Sequence, residues 1–444
     1  MANTYLTRTP SSTGNQRTFT ISAWVKDMKD SSDHVIFSAG QFPTESFQFA
    51  IESSGGYYVQ ARTSGSDNTW LYENNRKLRD PNGYYHIVLA VDTTQVTDTN
   101  RVKLYINGEQ TSNWNTPNYP TQNYDYPVNE ASEVQYIGAN NNGSIFNGIM
   151  SHVHFCDGQA LAPTVFGETD SVTGEWKINT SPSVTYGTNG FFILKDGNTI
   201  TDQSSNSNNF SLGGGTLTNT EDCPSNVFAT LNPLVNYSNF SGGTLSNGNT
   251  THSNSSGTSN KISTLGMTSG KFYAEAKYTG GGNYNGVGFC SEPFLSGAAT
   301  LANSTHGASL TYTDVYNGGV AYGTYATPST NDIIGIALDI DNGYAYFSNN
   351  GVWGNSGVPT SGSTGTGGFL ISRTDANSTY FFASEQNATP GTRGAEWNFG
   401  NGYFGTTAVT TNSGNGYAGA EGSSIFNYQP PTGYSALSTK GLNE

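Results

Sequence analysis

DIIGIALDIDNGYAYFSNNGVW, residues 332–353, is the stretch on which the reading of this chain turns. A near-continuous apolar run from Ile333 to Ile340 meets Asp341-Asn342-Gly343, and a second run, Ala345 to Ser348, returns before Asn350-Gly351. Asn and Gly tolerate the positive φ that tight hairpin turns demand, so Asn-Gly between two such runs is a strong local hairpin signal. The same pattern repeats outward. Lys271 to Tyr278 alternates, Val287 to Cys290 is a short apolar strand, and the series begins at Thr244 beside the Asn/Ser/Thr-rich stretch 246–260.

An earlier β series occupies the N-terminal part. Phe19, Ile21, Ala23 and Val25 alternate with Thr20, Ser22, Trp24 and Lys26, which predicts a half-buried strand. Phe47, Phe49 and Ile51 alternate likewise, Tyr84 to Val91 is nearly all apolar, and Val102, Leu104 and Ile106 lead into the turn Asn107-Gly108. Gly148 to Cys156 reads as a closing strand, and together these describe a sandwich of jelly-roll size. Between 158 and 235 the pattern loosens: Ala160 to Phe166 suits a short helical turn, Gly190 to Lys195 a strand, and Thr201 to Cys223 is polar. Trp176, Phe191, Phe192 and Phe228 need burial, so this segment is expected to be structured. The predicted fold class is all-β: two antiparallel β-sandwich domains of jelly-roll type in tandem, at 1–157 and 236–444, with a structured connector at 158–235.

Composition agrees. A chain of 444 residues exceeds one ordinary core at roughly 150 residues per domain. Its 55 Gly, 27 Tyr and 23 Phe suit short strands and tight turns. Only 11% of residues are charged and the net charge is -15, which argues against nucleic acid and anionic membranes as partners, since phosphate binding needs clustered Lys and Arg. The N-terminal MANTYLTRTP lacks signal-peptide character, and no apolar run reaches the roughly 18 residues of a membrane span, so no membrane insertion is expected. Cys156, Cys223 and Cys290 are far apart with no C-x-x-C pair and read as free thiols of a reducing cytoplasm.

The blocks FTISAWVK (19–26), YYHIVLAVD (84–92), VKLYINGEQ (102–110) and IGANNNGSIFNGIMSHVHF (137–155) resemble, in that order, the concanavalin A-like, laminin-G-like domain. SGKFYAEAKY (269–278), NGVGFC (285–290), the 332–353 block and AEWNFG (395–400) resemble a SPRY domain over roughly 236–430. That second resemblance implies a bent sandwich that binds proteins or other ligands through loops, without catalytic residues. The pairing of the two modules, with SNVFATLNPL (225–234) between them and PPTGYSALSTKGL (430–442) at the end, is similar to structural proteins of marine bacteriophages. It implies a virion protein (tail fibre, spike or capsid decoration), assembled in the host cytoplasm as a homo-oligomer. Its implied partners are neighbouring virion proteins or host-surface glycans.

Residue patterns for chemistry are sparse. Glycosidic cleavage needs two carboxylates facing each other across the bond. The nearest string, Glu168-Thr169-Asp170 with Glu175, lies among Gly, Ser and Thr and reads as a solvated turn. There is no G-x-S-x-G elbow, so no enzyme is expected. His152 and His154, two apart, would share the polar face of the last strand, too few for a metal site. Asp339 and Asp341 fail the calcium-loop spacing, because Asn350 stands where an acidic twelfth ligand belongs. No cofactor is expected. The laminin-G-like resemblance leaves room for a structural calcium ion, with Asp92 or Asp98 as candidate ligands.

Sugar recognition uses aromatic faces with amides and carboxylates around them. Trp114, Tyr119, Tyr124 and Tyr126 supply these residue types in one loop-like segment, whose alternative role is to pack on the sandwich or on a neighbouring subunit. Trp70 and Tyr72, and Tyr316 and Trp353 in the second domain, are further candidates, whereas Trp24 and Trp397 read as core. Glycan or protein binding through sandwich loops is the leading expectation. A purely structural assembly protein is the alternative, with a polysaccharide depolymerase ranked last.

Overall fold

The computed structural model describes residues 4–28, 32–195, 199–235, 243–280, 285–291, 300–371, 378–388, 391–409 and 416–443. The chain divides into two compact units, Met1–Asn219 with Cys223–Ser225 and Thr220–Asp222 with Asn226–Glu444. Regular structure among the described residues is strand, with a few single 3-10 turns. Most of the segment 158–235 therefore belongs to the first unit, not to a separate connector.

In the first unit the strands are β1 (Tyr5–Arg8), β2 (Thr18–Asp27), β3 (His34–Gln41), β4 (Glu45–Ile51), β5 (Tyr57–Thr63), β6 (Ser66–Glu73), β7 (Tyr85–Asp92) and β8 (Val102–Ile106). They continue with β9 (Glu109–Gln110), β10 (Asn115–Asn118), β11 (Gln135–Ile137), β12 (Gly148–Asp157), β13 (Gly167–Thr169), β14 (Trp176–Ile178), β15 (Phe191–Ile193) and β16 (Ser211–Gly214). Eight form one sheet in the order β10-β6-β5-β4-β3-β11-β1-β16, and six form the other, β15-β12-β2-β7-β8-β9. Phe19, Ile21, Phe37, Phe47, Phe49, Val59, Leu71, Leu89 and Phe155 fill the space between them. Burial of each such side chain stabilises the sandwich by roughly 1.5–3 kcal/mol. Asn107 (φ 48°) and Gly108 (φ 81°) adopt the two left-handed positions that the β8–β9 turn requires.

Alternation along β2 predicted a polar outer face, and the structure corrects this. Thr20, Ser22, Trp24 and Lys26 are buried too. The reason is the following segment, which folds back over the outer face of the six-stranded sheet: Leu161, Val165, Phe166, Val184 and Tyr186 pack with Val88, Tyr105 and Cys156. Thr20 Oγ1 donates to the Gln159 carbonyl (2.7 Å) and accepts from the Leu161 N–H (2.8 Å). One sheet of the first unit is thus sealed on both sides.

In the second unit Ile333–Asp339 lies between Lys271–Tyr278 and Tyr344–Asn349 in a nine-stranded sheet, as the hairpin block predicted. Asn350 (φ 49°) and Gly351 (φ 80°) make the next turn. A six-stranded sheet faces it, with Trp397, Phe347, Phe382 and Phe399 in the core. The other face of the nine-stranded sheet is covered by the C-terminal segment, where Phe426, Tyr434 and Ala436 pack on Tyr273, Ala337 and Tyr346. Buried Glu275 fastens that segment: its carboxylate accepts the N–H groups of Asn427 (2.8 Å) and Tyr428 (2.7 Å), the Tyr273 hydroxyl (3.2 Å) and the Asn398 amide (3.3 Å).

Candidate functional site

With the six-stranded sheet sealed, the outer face of the eight-stranded sheet carries the first unit's remaining polar and aromatic display. Residues directly opposite on neighbouring strands share a face. Asn118 pairs with Trp70, Trp70 with Gln60, Gln60 with Gln48, Gln48 with Ser38, and Ser38 with Tyr136. This row crosses six strands without one charged residue. Its amides form a directional chain: Asn140 Nδ2 donates to Gln48 Oε1 (3.0 Å), Gln48 Nε2 to Gln60 Oε1 (2.7 Å), and Gln60 Nε2 to Asp67 Oδ1 (2.9 Å). Gln48 and Asn140 are buried, and Gln60, half-buried, is the amide of this chain that reaches the surface.

Beside the row sits an aromatic cluster. Tyr58 lies opposite Tyr72, and the Trp70 ring centroid is 5.4 Å from Tyr58 and 5.9 Å from Tyr72. Val35 and Ala50 form its floor, Tyr58 is buried, and Trp70 and Tyr72 are half-buried. Carboxylates border it. Glu52 accepts from the Tyr72 hydroxyl (2.8 Å) and Ser54 Oγ (2.6 Å), while Asp33 accepts from the Tyr58 hydroxyl (3.4 Å) and the Ser53 N–H (3.2 Å). Burial and the Glu52 carboxylate push the Tyr72 phenol up to about 12, so it remains a donor at neutral pH. Arg62 Nε pairs with Asp67 Oδ1 at 3.2 Å, and the guanidinium lies over the Phe42 ring. Rings, amide donors and carboxylate acceptors within one surface are the chemistry of hydroxyl-rich ligands.

The loop-like candidates fare differently. Tyr126 is overturned as a ligand contact: it is 0% exposed, packs edge-on against Phe19 and Phe47, and shares a 2.8 Å hydrogen bond with Thr69. A large ring with one polar atom finds a better place in a core that satisfies that atom. Trp114, Tyr119 and Tyr124 are half-buried against the same core, and the Tyr124 hydroxyl is held by Thr63 (2.8 Å). Part of their segment is strand β10, paired to β6. Tyr316 and Trp353 lie on different sheets of the second unit, Tyr316 on Asp314–Asn317 and Trp353 against Tyr273. Sequence reasoning missed Tyr58, Gln48, Gln60, Asp33 and Glu52. The i, i+2 spacing of Trp70 and Tyr72 was the only local signal.

Other chemistry-bearing groups are engaged in structure. A bulge between Ser151 and His154, with His152 at φ 49°, breaks the expected alternation. His154 still lies opposite Ser22 on the outer face of the sheet, which is buried, and both imidazoles pack on Phe192, His154 at 3.9 Å between centroids. Ser22 Oγ is 2.9 Å from His86 Nε2, the distance of a nucleophile–base pair. The Trp176 indole, however, donates to His86 Nδ1 (2.9 Å), and burial holds the imidazole neutral with its titration down at about 3. The proton then resides on Nε2, so His86 donates to Ser22 and has no lone pair for its proton.

Glu168 lies exposed on strand β13 and Asp170 opens the turn between β13 and β14, and Lys177 bridges both at 3.2 Å. Asp339 is fully buried, paired with Lys271 (3.1 Å) and bonded to Asn342. Asp92 accepts from Thr94, Gln95 and Thr18, and Asp98 from the Thr99 N–H. Among the described residues no group of three His, Cys, Asp or Glu side chains could hold a metal ion, and no helix is long and apolar enough to cross a membrane. Cys156, Cys223 and Cys290 are free, and burial pushes the Cys156 thiol up to about 12.

No curated protein matches the chain. Among solved structures, the SPRY domain of human HERC1 is 16% identical, covers 33% of this chain and 87% of its own, and has a TM-score of 0.26. The native heptameric SAP-like pentraxin from Limulus polyphemus is also 16% identical, covers 36% of this chain and 72% of its own, and has a TM-score of 0.26. Residues 2–165 match the family described as the concanavalin A-like lectin/glucanases superfamily, of laminin-G type, so the sandwich that carries the aromatic cluster is the part of the chain similar to that superfamily.

Proposed function

We propose that the first unit is a carbohydrate-binding module, not an enzyme, and that it takes its ligand on the outer face of the eight-stranded sheet. One observation carries this reading: Trp70 and Tyr72 stand half-buried in a cluster that continues directly into the ordered amide chain Asn140, Gln48, Gln60. A pyranose places its apolar face on such rings while its hydroxyls meet the amides and carboxylates. The superfamily match of residues 2–165 supports the same class of ligand. That the module serves a virion in attachment to a host surface rests on the resemblance of the two-module pairing alone.

A glycan array probed with the full chain and with Trp70→Ala tests the proposal. The expected result is a restricted set of bound glycans whose signal falls at least tenfold in the variant. Absence of binding to every glycan, or binding that Trp70→Ala leaves intact, overturns it.

A further inference from the structure

The charge lining of this face selects among glycans. We infer that the site takes uncharged sugar units and rejects sulfated or carboxylated ones; the inference rests on the carbohydrate-binding reading above. The cluster of Tyr58, Trp70 and Tyr72 is bordered by Asp33 and Glu52 on one side and, through Gln60, by Asp67 on the other. Tyrosine and serine hydroxyls and a backbone N–H bond to Asp33 and Glu52, so among the described residues both carboxylates are held by neutral donors and neither is in an ion pair.

The described basic group on this face, Arg62, is already committed. Its Nε faces Asp67, its terminal nitrogen donates to the Gly65 carbonyl, and its plane covers the Phe42 ring. A sulfate or uronate would have to displace those contacts to gain a partner. Ser46, opposite Arg62 on the same face and 3% exposed, has a hydroxyl with no hydrogen-bond partner. A neutral hydroxyl-bearing ligand meets the accessible groups of this face without an unpaired charge: ring oxygens and hydroxyls accept from amide N–H groups, and hydroxyls donate to Asp33, Glu52 and Asp67. An anion near the same carboxylates is repelled, and the low polarity of the ring cluster weakens screening of that repulsion.

The test uses the full chain, immobilised, against matched pairs that share a backbone: dextran with dextran sulfate, hydroxyethyl cellulose with carboxymethyl cellulose, and agarose oligosaccharides with their sulfated counterparts. The expected result is binding to a neutral member with its anionic partner at least tenfold weaker. Equal or tighter binding of the anionic partner overturns the inference while leaving carbohydrate binding itself intact, whereas failure of every member here and on the array removes both. Asp33→Asn and Glu52→Gln, singly and together, are expected to narrow the neutral-to-anionic ratio by about fivefold. The same charge removed at a distance, by Glu168→Gln, is expected to leave that ratio unchanged. If the ratio ignores Asp33 and Glu52, or moves equally with Glu168→Gln, the discrimination belongs to the overall charge of -15 and the local assignment is wrong.

Discussion

The Trp176 indole N–H donates to His86 Nδ1 at 2.9 Å, one of the bonds that tie the segment after β12 to the sheet beneath it. His86 is held from both sides, its ring stacked 4.6 Å from Trp24 and 5.9 Å from Trp176. Trp176→Phe keeps most of the ring and removes the donor, leaving a buried imidazole nitrogen unpaired. The expected loss of stability is about 1–3 kcal/mol. Urea unfolding followed by tryptophan fluorescence measures it, and an unchanged midpoint would show that the bond is dispensable.

Two buried glutamates set the second unit's response to pH. Burial pushes both Glu275 and Glu385 up to about 7, although backbone N–H groups oppose the shift in each. The folded state then holds protons that the unfolded chain releases near its ordinary value of about 4.5. Their contribution to stability is fully present below that value and is lost as pH rises toward 7, by roughly 1–3 kcal/mol for each group. His252 runs the other way: burial holds it neutral, with its titration down at about 3, so its contribution is lost as pH falls below about 6.5. Glu385→Gln separates the two. The difference in unfolding free energy between variant and parent is expected to change between pH 4.5 and 7 and to be flat above that window; a difference constant across the whole range would contradict the assignment.

Tyr126 and Trp70 should part company under mutation. Tyr126→Phe removes a buried hydroxyl that shares a 2.8 Å hydrogen bond with Thr69, in a core where no water can replace it. The expected effect is about 1–2 kcal/mol of lost stability with glycan binding unaltered. Trp70→Ala is expected to do the reverse, abolishing binding with a smaller effect on folding. Thermal melts paired with binding isotherms decide. Loss of binding in folded Tyr126→Phe would return that tyrosine to the ligand surface.

How far the sequence spoke depended on the range of the interaction. The strands Ile333–Asp339 and Tyr344–Asn349 were legible because a hairpin is a local object, with periodicity and turn residues adjacent in the chain. Burial of both faces of β2 was not, since the cover comes from residues near 160–186, whose own pattern is too irregular to show what they lie against. The candidate site was half legible for the same reason. Trp70 and Tyr72 announce a shared face by their spacing, but bringing Tyr58, Gln60 and Gln48 alongside requires the register of three strands, which side-chain alternation alone leaves open. Tyr126 misled because a Tyr in a polar, Pro-containing segment looks the same in sequence whether its ring faces water or the core.

Asp339 resembles a metal-loop residue by composition only; in the fold its partner is Lys271, at 3.1 Å, whose ammonium also lies over the Tyr434 ring. The carboxylate is fully buried while the lysine is partly exposed, so the two halves of the pair are unequal. Lys271→Met preserves the aliphatic stem but leaves a buried negative charge bonded only to Asn342. Breaking a buried pair from one side costs about 3–5 kcal/mol, and partial exposure of this one places the expectation at the lower end. The double variant Lys271→Met, Asp339→Asn removes the stranded charge and should recover most of the loss. Calorimetric unfolding of the three proteins reads both effects. If the single and double variants unfold alike, the ion pair is not what holds the Lys271–Tyr278 and Ile333–Asp339 strands together at this end.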